Sequence, residues 1–422
     1  MVATAPTRPG EPSALAELGA SGRLGIRMLL GLLAGRATFR LVLYGANVTL
    51  LAGWGHHTYA RYAAASGALV WVVALAQAGP EKTALKLIPR PGQAREATVA
   101  GLLAIVRGVP LVFCALAALA IAVDQHAVAT LYVASAAQSV AIGLNVAGVA
   151  LQRALGRAGR DISNFALLSA AWAVLTAFAV VLHLPPVLYL FSQCVAAIAV
   201  TEVTLRGLRA PTRSLAGRPR ARRRLDETVA LMGVYDVAAL AATSAVFLVL
   251  PLTRNADQSG DLYLALAGWG VALGFLVYAL RVFQPRMSLW LAGEGSLTGR
   301  GWARSLAAWA LALNAAWLVV VAVVLVAGGF RALAPGIVTV AALTGLLLSR
   351  SPVSGLMLVS VCLLENADVG SLRAVAAGAA GGLVLVLVAS AAVIPFFGAA
   401  GAIWALATDE LVQAGVVLRR LR

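Results

Sequence analysis

Charged residues are scarce in this sequence of 422 residues, and acidic residues are the scarcest. Asp, Glu, Lys and Arg together make up 12% of the chain, about half the share that is typical of a soluble protein. Acidic residues number 17 against 33 basic ones. Since 61% of the residues are hydrophobic and the mean hydropathy is +0.89, the composition excludes an ordinary soluble domain.

Cysteine and histidine are also rare, which limits the chemistry that the chain can perform. Cys114, Cys194 and Cys362 each lie within an apolar run, and the sequence contains no CxxC pair and no Cys/His cluster. It also lacks a glycine-rich phosphate loop placed between a strand and a helix. We therefore interpret the cysteines as packing residues, and we expect neither a metal site nor a cofactor.

Long apolar runs, in contrast, are abundant. A helix needs about 20 mainly apolar residues to cross a bilayer, and twelve stretches of the chain meet that condition. They lie near residues 29–53, 59–79, 97–123, 127–152, 162–183, 186–206, 228–252, 261–284, 302–328, 336–363, 372–394 and 398–418. The sequence therefore predicts an all-α polytopic membrane protein with about 12 transmembrane helices.

The basic residues indicate the orientation of these helices. If both termini lie inside, the inner segments hold 25 of the 33 basic residues and the outer connections hold three. Such an asymmetry over short loops determines topology, so we expect both termini to be cytoplasmic. The net charge of +16 then points to anionic lipids at the cytoplasmic face as partners, and not to nucleic acid.

The most basic loop suggests where the chain divides. Residues 1–26 have no apolar signal-peptide core and are expected to form a disordered cytoplasmic tail. The loop 207–227 lies at the midpoint, as a basic cytoplasmic linker. It separates an amino-terminal lobe, 27–206 (helices 1–6), from a carboxy-terminal lobe, 228–422 (helices 7–12). Six predicted helices on each side indicate two similar bundles.

Several arginines fall inside the predicted helices, where a charge costs about 2.5–3.5 kcal/mol on insertion scales. They are Arg36, Arg40, Arg107, Arg281 and Arg350. Acidic residues within the spans are fewer, so we expect a ligand to supply the missing negative charge. The planar guanidinium suits phosphate, and Arg36, Arg40 and Arg350 are the candidates for binding an anionic head group.

Two polar stripes extend this candidate site. One face of the first helix carries a continuous polar row: Arg36, Arg40, Tyr44 and Asn47. The fourth helix repeats amides at heptad spacing: Gln138, Asn145 and Gln152. Such stripes line a substrate cavity or hydrogen-bond to other helices, and the sequence leaves both open. Asp236 is the candidate for ion coupling, although a structural ion pair with a buried arginine is an equal alternative.

Three segments resemble bacterial polysaccharide-biosynthesis (O-antigen and exopolysaccharide) flippases. They are WGHHTYARYAAASGALVWVVALAQAGPEKTALKLIPR at 54–90, LQRALGRAGRDISNF at 151–165, and GAAGAIWALATDELVQAGVVLRRLR from Gly398. That family belongs to the superfamily of multidrug, oligosaccharidyl-lipid and polysaccharide exporters. The resemblance implies two six-helix lobes around a central cavity in the bacterial plasma (inner) membrane. It also implies outward transfer of a polyprenyl-diphosphate-linked oligosaccharide, and polysaccharide synthesis enzymes as possible partners.

Two other functions remain open at this stage. A small-molecule exporter of the multidrug type would share the architecture, but its usual cationic substrates favour carboxylates in the cavity. A membrane-embedded glycan enzyme would need catalytic groups on a sizeable outer loop, and the longest outer connection, 253–260, is short. We therefore expect a flippase and not an enzyme.

Overall fold

The computed structural model describes residues 26–88, 94–157, 159–208, 219–291, 296–329, 336–367 and 369–420, and every regular element in these ranges is helical. The helices are α1 (Ile26–Ala68), α2 (Val70–Leu87), α3 (Ala94–Asp124), α4 (Val128–Ala154), α5 (Gly159–Val181), α6 (Pro186–Thr204), α7 (Pro219–Val249), α8 (Gln258–Leu291), α9 (Ser296–Val326), α10 (Ile337–Ala367) and α11 (Val369–Arg420). A single 3₁₀ turn, Leu250–Leu252, follows α7. The expected all-α membrane fold is confirmed.

Ten segments within the described ranges are long and apolar enough to cross a membrane. Two of them, Leu30–Leu85 with 56 residues and Gly370–Arg420 with 51, far exceed one crossing. Each contains one glycine with non-helical backbone angles, Gly55 (φ 75°, ψ 167°) or Gly398 (φ 55°, ψ −135°). A break at each glycine would give two crossings per segment, and the count of twelve stays a prediction.

The second transmembrane helix is longer than the sequence predicted. It was expected to stop at residue 79, whereas α2 continues through Pro80 to Leu87. One side of the added turns packs in the apolar interior, where Ala84 and Leu85 are buried, together with Ile88 just after the helix. Gly79 permits this packing, since a Cβ at that position would overlap the backbone of Val229 in α7. The turn that was expected to be a cytoplasmic loop is therefore part of the helical core.

The expected tail and linker can be compared only in part. Residues 1–25 are outside the described ranges, and so are 209–218 of the expected linker. The helix α7 begins at Pro219, so the last part of the segment 207–227 is helical and not a loop. The predicted lobe boundaries and the predicted orientation stay predictions.

Helices α1–α6 are called the amino-terminal half below, and α7–α11 the carboxy-terminal half. Two apolar clusters lie within the amino-terminal half, around Trp172 and around Leu144, and another lies within the carboxy-terminal half around Met357. The halves meet where α1 packs on α8 and α2 packs on α7. Large apolar side chains on the outer surface, such as Leu119 and Val323, are exposed, as expected for contact with lipid tails.

Candidate substrate-binding site

The polar stripe of α1 faces the carboxy-terminal half. Leu41 and Val48, which are exposed, mark the outer face of α1. Arg40 lies against Gly270 and Gly274 of α8, and Arg36 stacks on Tyr278 of the same helix. The stripe therefore lines the seam between the two halves, which is where a cavity between them would open.

Arg40 packs against α8 at two glycines, Gly270 and Gly274. A Cβ built on Gly270 would be 3.4 Å from Nη1 of Arg40, and one built on Gly274 would be 3.5 Å from Nε. Arg40 is an exposed residue although it sits mid-helix, and its guanidinium packs on the glycines of α8. Among the described residues, no hydrogen bond or ion pair neutralises it.

Arg36, one turn earlier, has a partial set of partners. Its Nε lies 3.5 Å from Oδ1 of Asp161 in the first turn of α5. Its guanidinium stacks over two rings, with 4.1 Å to the centroid of Tyr278 and 4.5 Å to that of Phe165. Its Nη2 is buried without a hydrogen-bond partner. Arg36 is therefore positioned by protein groups but keeps one donor that a ligand could satisfy.

Asp161 joins a charge cluster that the sequence interpretation missed. Its Oδ2 lies 3.3 Å from Nε of Arg153 and accepts a 3.1 Å hydrogen bond from the hydroxyl of Tyr278. Nη2 of Arg153 donates to Oε1 of Glu81 at 2.9 Å. Asp161 and Glu81 are each 1% exposed, although both were placed in loops from the sequence. A weak sequence signal existed: Glu81 lies two residues after the predicted span 59–79, and Asp161 lies directly before the predicted span 162–183.

The rest of the α1 stripe divides into an accessible and a buried part. The ring of Tyr44 lies against α8, where a Cβ on Gly268 would be 3.3 Å from its Cε2. Asn47 is 2% exposed, and its Nδ2 donates to the carbonyl of Leu43 while its Oδ1 accepts from the hydroxyl of Tyr59. Tyr44 thus borders the seam beside Arg40, whereas Asn47 is occupied by bonds within the amino-terminal half.

The amide stripe of α4 points into the amino-terminal half. Asn145 exchanges two 2.9 Å hydrogen bonds with Asn164 of α5 and donates a third to Oγ1 of Thr201 in α6. Gln152, one heptad on, donates to a backbone carbonyl of α6. Gln138 is half-buried and makes no hydrogen bond among the described residues. In this conformation Asn145 joins three helices, which matches the helix-contact alternative.

Arg350 lies within the carboxy-terminal half, away from the α1 stripe. It is 4% exposed, and its Nη2 lies 3.1 Å from Oε1 of Glu410 and donates to the carbonyl of Leu406 at 3.0 Å. Oε1 of Glu410 also accepts a 2.7 Å hydrogen bond from the hydroxyl of Ser354. The guanidinium is thus neutralised by a neighbouring helix, and the structure does not bring it together with Arg36 and Arg40.

Asp236 forms an ion pair with a lysine, which the sequence did not suggest as its partner. Its Oδ2 lies 3.1 Å from Nζ of Lys82, and the same ammonium donates a hydrogen bond to Oε1 of Glu365. Lys82 is 1% exposed. The sequence had placed it in a cytoplasmic loop, because Pro80 and Glu81 beside it suggested that the helix had ended.

Protein carboxylates are better matched to the intramembrane arginines than expected. Asp161 pairs with Arg36, Glu410 pairs with Arg350, and Glu202 lies 3.3 Å from Nε of Arg107. These three arginines therefore have protein counter-ions, which come from helix ends that look like loops or from distant spans, and a ligand charge is not needed to neutralise them. The side chain of Arg281 is outside the described part. Of the four intramembrane arginines whose side chains the structure describes, Arg40 alone has no counter-ion among the described residues.

The arrangement is that of a multi-pass helical membrane protein in which one arginine without a described counter-ion lies at the seam between two halves. No family model matches the chain, and no curated protein matches it. Among solved structures, it is similar to one described as the inward-facing conformation of a multidrug resistance MATE family transporter of the MOP superfamily. The TM-score is 0.58 at 14% identity, over 96% of this chain and 97% of that one. At this identity the likeness shows a MATE-like transporter fold.

Proposed function

We propose that this protein is an exporter that works by alternating access and moves a polyprenyl-diphosphate-linked oligosaccharide from the inner to the outer leaflet of the bacterial plasma membrane. The observation that carries the proposal is the guanidinium of Arg40, which lies between the halves and has no counter-ion among the described residues. A diphosphate would supply the missing charge and match the guanidinium fork. No bond is made or broken, so the protein is not proposed to be an enzyme.

The neighbours of Arg40 support an anionic ligand. Arg36 offers one unsatisfied donor a turn away, and Tyr44 offers a hydroxyl on the same face. Gly270 and Gly274 carry no side chains, which allows the guanidinium to lie directly against α8 at the seam. The lipid tail would remain in the bilayer while the head group crosses. An inside-negative potential would favour outward movement of an anion by about 2.3 kcal/mol per charge per 100 mV.

The test is a leaflet-accessibility assay in proteoliposomes with a fluorescent polyprenyl-diphosphate oligosaccharide. We expect the wild type to transfer it and Arg40→Gln to lose at least about tenfold in rate, equivalent to ~1.4 kcal/mol. Arg40→Lys should retain part of the rate, because it keeps the charge but not the fork. Arg107→Gln is the matched control, since it removes a paired arginine outside the α1–α8 seam.

A multidrug-type exporter of small molecules is the second candidate. It is favoured by the similar solved structure, which is described as a multidrug resistance transporter. Efflux of a cationic dye from the same proteoliposomes would distinguish the two. Dye efflux without transfer of the lipid-linked sugar would reject the flippase, and sugar transfer that is unchanged in Arg40→Gln would reject the assigned role of Arg40.

A further inference from the structure

A second buried charge cluster joins the two halves of the protein at a place that the proposed substrate site does not use. The ammonium of Lys82, near the end of α2, lies between two carboxylates of the carboxy-terminal half, Asp236 of α7 and Glu365 of α10. We infer that this cluster is an ionic latch that holds the halves together at one end and must break when that end opens. The inference rests on the proposed alternation of access but not on the identity of the substrate.

The contacts across the seam differ between its two ends. At the end where α2 terminates, the contacts are ionic or charge-assisted: Lys82 with its two acids, and the hydroxyl of Tyr278 with Asp161. Toward the opposite end, the described contacts mainly join rings and glycines, with hydrogen bonds between uncharged groups, such as that from the amide of Trp71 to the hydroxyl of Ser244. The rings of Tyr62 and Tyr263 lie 6.1 Å apart, and a Cβ on Gly67 would overlap the ring of Phe247.

This asymmetry means that the two ends separate by different physical steps. Rings and glycines part by exposing apolar surface, which has no charge to hydrate. The ammonium and its acids can part only if water replaces each partner, because a bare charge in a dry seam is strongly unfavourable. Closure of the ionic end therefore excludes water, and entry of water accompanies its opening.

A small cavity at the latch shows where that water would enter. It is large enough for about one water molecule, and its lining includes Lys82, Asp236, Glu365, Tyr235 and Cys362. Removal of the ammonium would take away the one cation that both carboxylates contact across the seam, and the need to hydrate these acids would favour the open state.

Cys362 is a native reporter of this event. Its thiol is not in a disulfide, it is 7% exposed, and it lines the same cavity as the latch. A charged thiol reagent can reach it only when the ionic end opens and admits water. Replacing Cys114 and Cys194 with alanine leaves Cys362 as the single thiol in the chain.

The experiment measures the rate at which a membrane-impermeant thiosulfonate modifies Cys362 in sealed vesicles of each orientation, without substrate. In the single-thiol protein we expect Lys82→Gln to raise the rate of Cys362 modification about tenfold from the face at which α2 ends. The reason is that an open state populated at roughly 1% can become about ten times more populated. The charge swap Lys82→Glu with Glu365→Lys should return the rate to near the unaltered value. Glu202→Gln, which breaks an ion pair within the amino-terminal half, is the matched control and should leave it unchanged.

An unchanged rate in folded Lys82→Gln would overturn the latch, and so would an equal rise in Glu202→Gln. Folding is checked by size-exclusion profile and thermal melting. If Lys82→Gln does not fold, the test uses only the charge swap and Lys82→Arg, both of which keep opposite charges at the latch. Modification rates near that of the single-thiol protein support the latch. A tenfold higher rate in either variant rejects it. Because no substrate is present, failure here is separate from failure of the transfer assay.

Discussion

Replacing Asn145 with alanine should destabilise the protein, because its amide holds three helices together. The side chain is 1% exposed and takes part in three hydrogen bonds, each 2.9 Å long, with Asn164 and Thr201. A hydrogen bond between membrane helices contributes about 0.6 kcal/mol on average. Loss of all three should therefore lower the free energy of unfolding by about 2 kcal/mol, and the stranded amide of Asn164 can only add to that cost.

Reversible unfolding of the purified protein by SDS in mixed micelles measures this difference. Gln138→Ala is the matched control, because it lies on the same stripe of α4 but makes no hydrogen bond among the described residues. It should change the free energy of unfolding by less than about 0.5 kcal/mol. If Asn145→Ala instead unfolds like the wild type and yet abolishes transport, its amide contacts substrate and the structural role is refuted.

Three further predictions concern a shared carboxylate, a close contact between a glycine and a ring, and a strained turn. Asp161→Asn should lower the free energy of unfolding by about 3–5 kcal/mol, because two buried guanidiniums share that carboxylate; Tyr278→Phe, which removes one hydrogen bond to it, should cost only about 1–3 kcal/mol in the same denaturation series. Gly67→Ala should destabilise by overlap with the ring of Phe247, and adding Phe247→Leu should recover part of the loss; additive effects in the double-mutant cycle would contradict the overlap. Gly55→Ala should cost about 1–3 kcal/mol through backbone strain alone, since no atom lies within 4 Å of the added Cβ; an unchanged melting curve would show that the turn relaxes.

The helices were predictable from the sequence because their signal is local. A run of apolar residues long enough to cross a bilayer becomes a helix wherever it occurs, since the backbone must satisfy its own hydrogen bonds in lipid. The fourth span, for example, was expected at 127–152 and is Val128–Ala154. Helix ends were less predictable, because α2 is continued beyond Pro80 by packing on α7, and that packing has no local signal.

The polar stripe of α1 was predictable, but its counter-ions were not. Spacing alone places Arg36 and Arg40 on one face of a helix. Which acid meets which base depends on how distant helices pack: Arg36 meets Asp161, 125 residues later, at a helix start that looks like a loop. A single sequence does not encode that pairing in any visible period. The same limit applies to Asn145, whose stripe was evident but whose partners on α5 and α6 were not.

The position of Lys82 also constrains how the chain is made. Its carboxylate partner Glu365 is 283 residues downstream, which at about 5–20 residues per second is roughly 15–60 s of synthesis. Until α7 and α10 arrive, the ammonium has neither acid, so the end of α2 must wait at the membrane surface in contact with water. A nascent chain stalled before α10 should therefore leave Lys82 open to amine reagents, and the finished protein should protect it. Burial of this one side chain would then mark the moment at which the second half docks on the first.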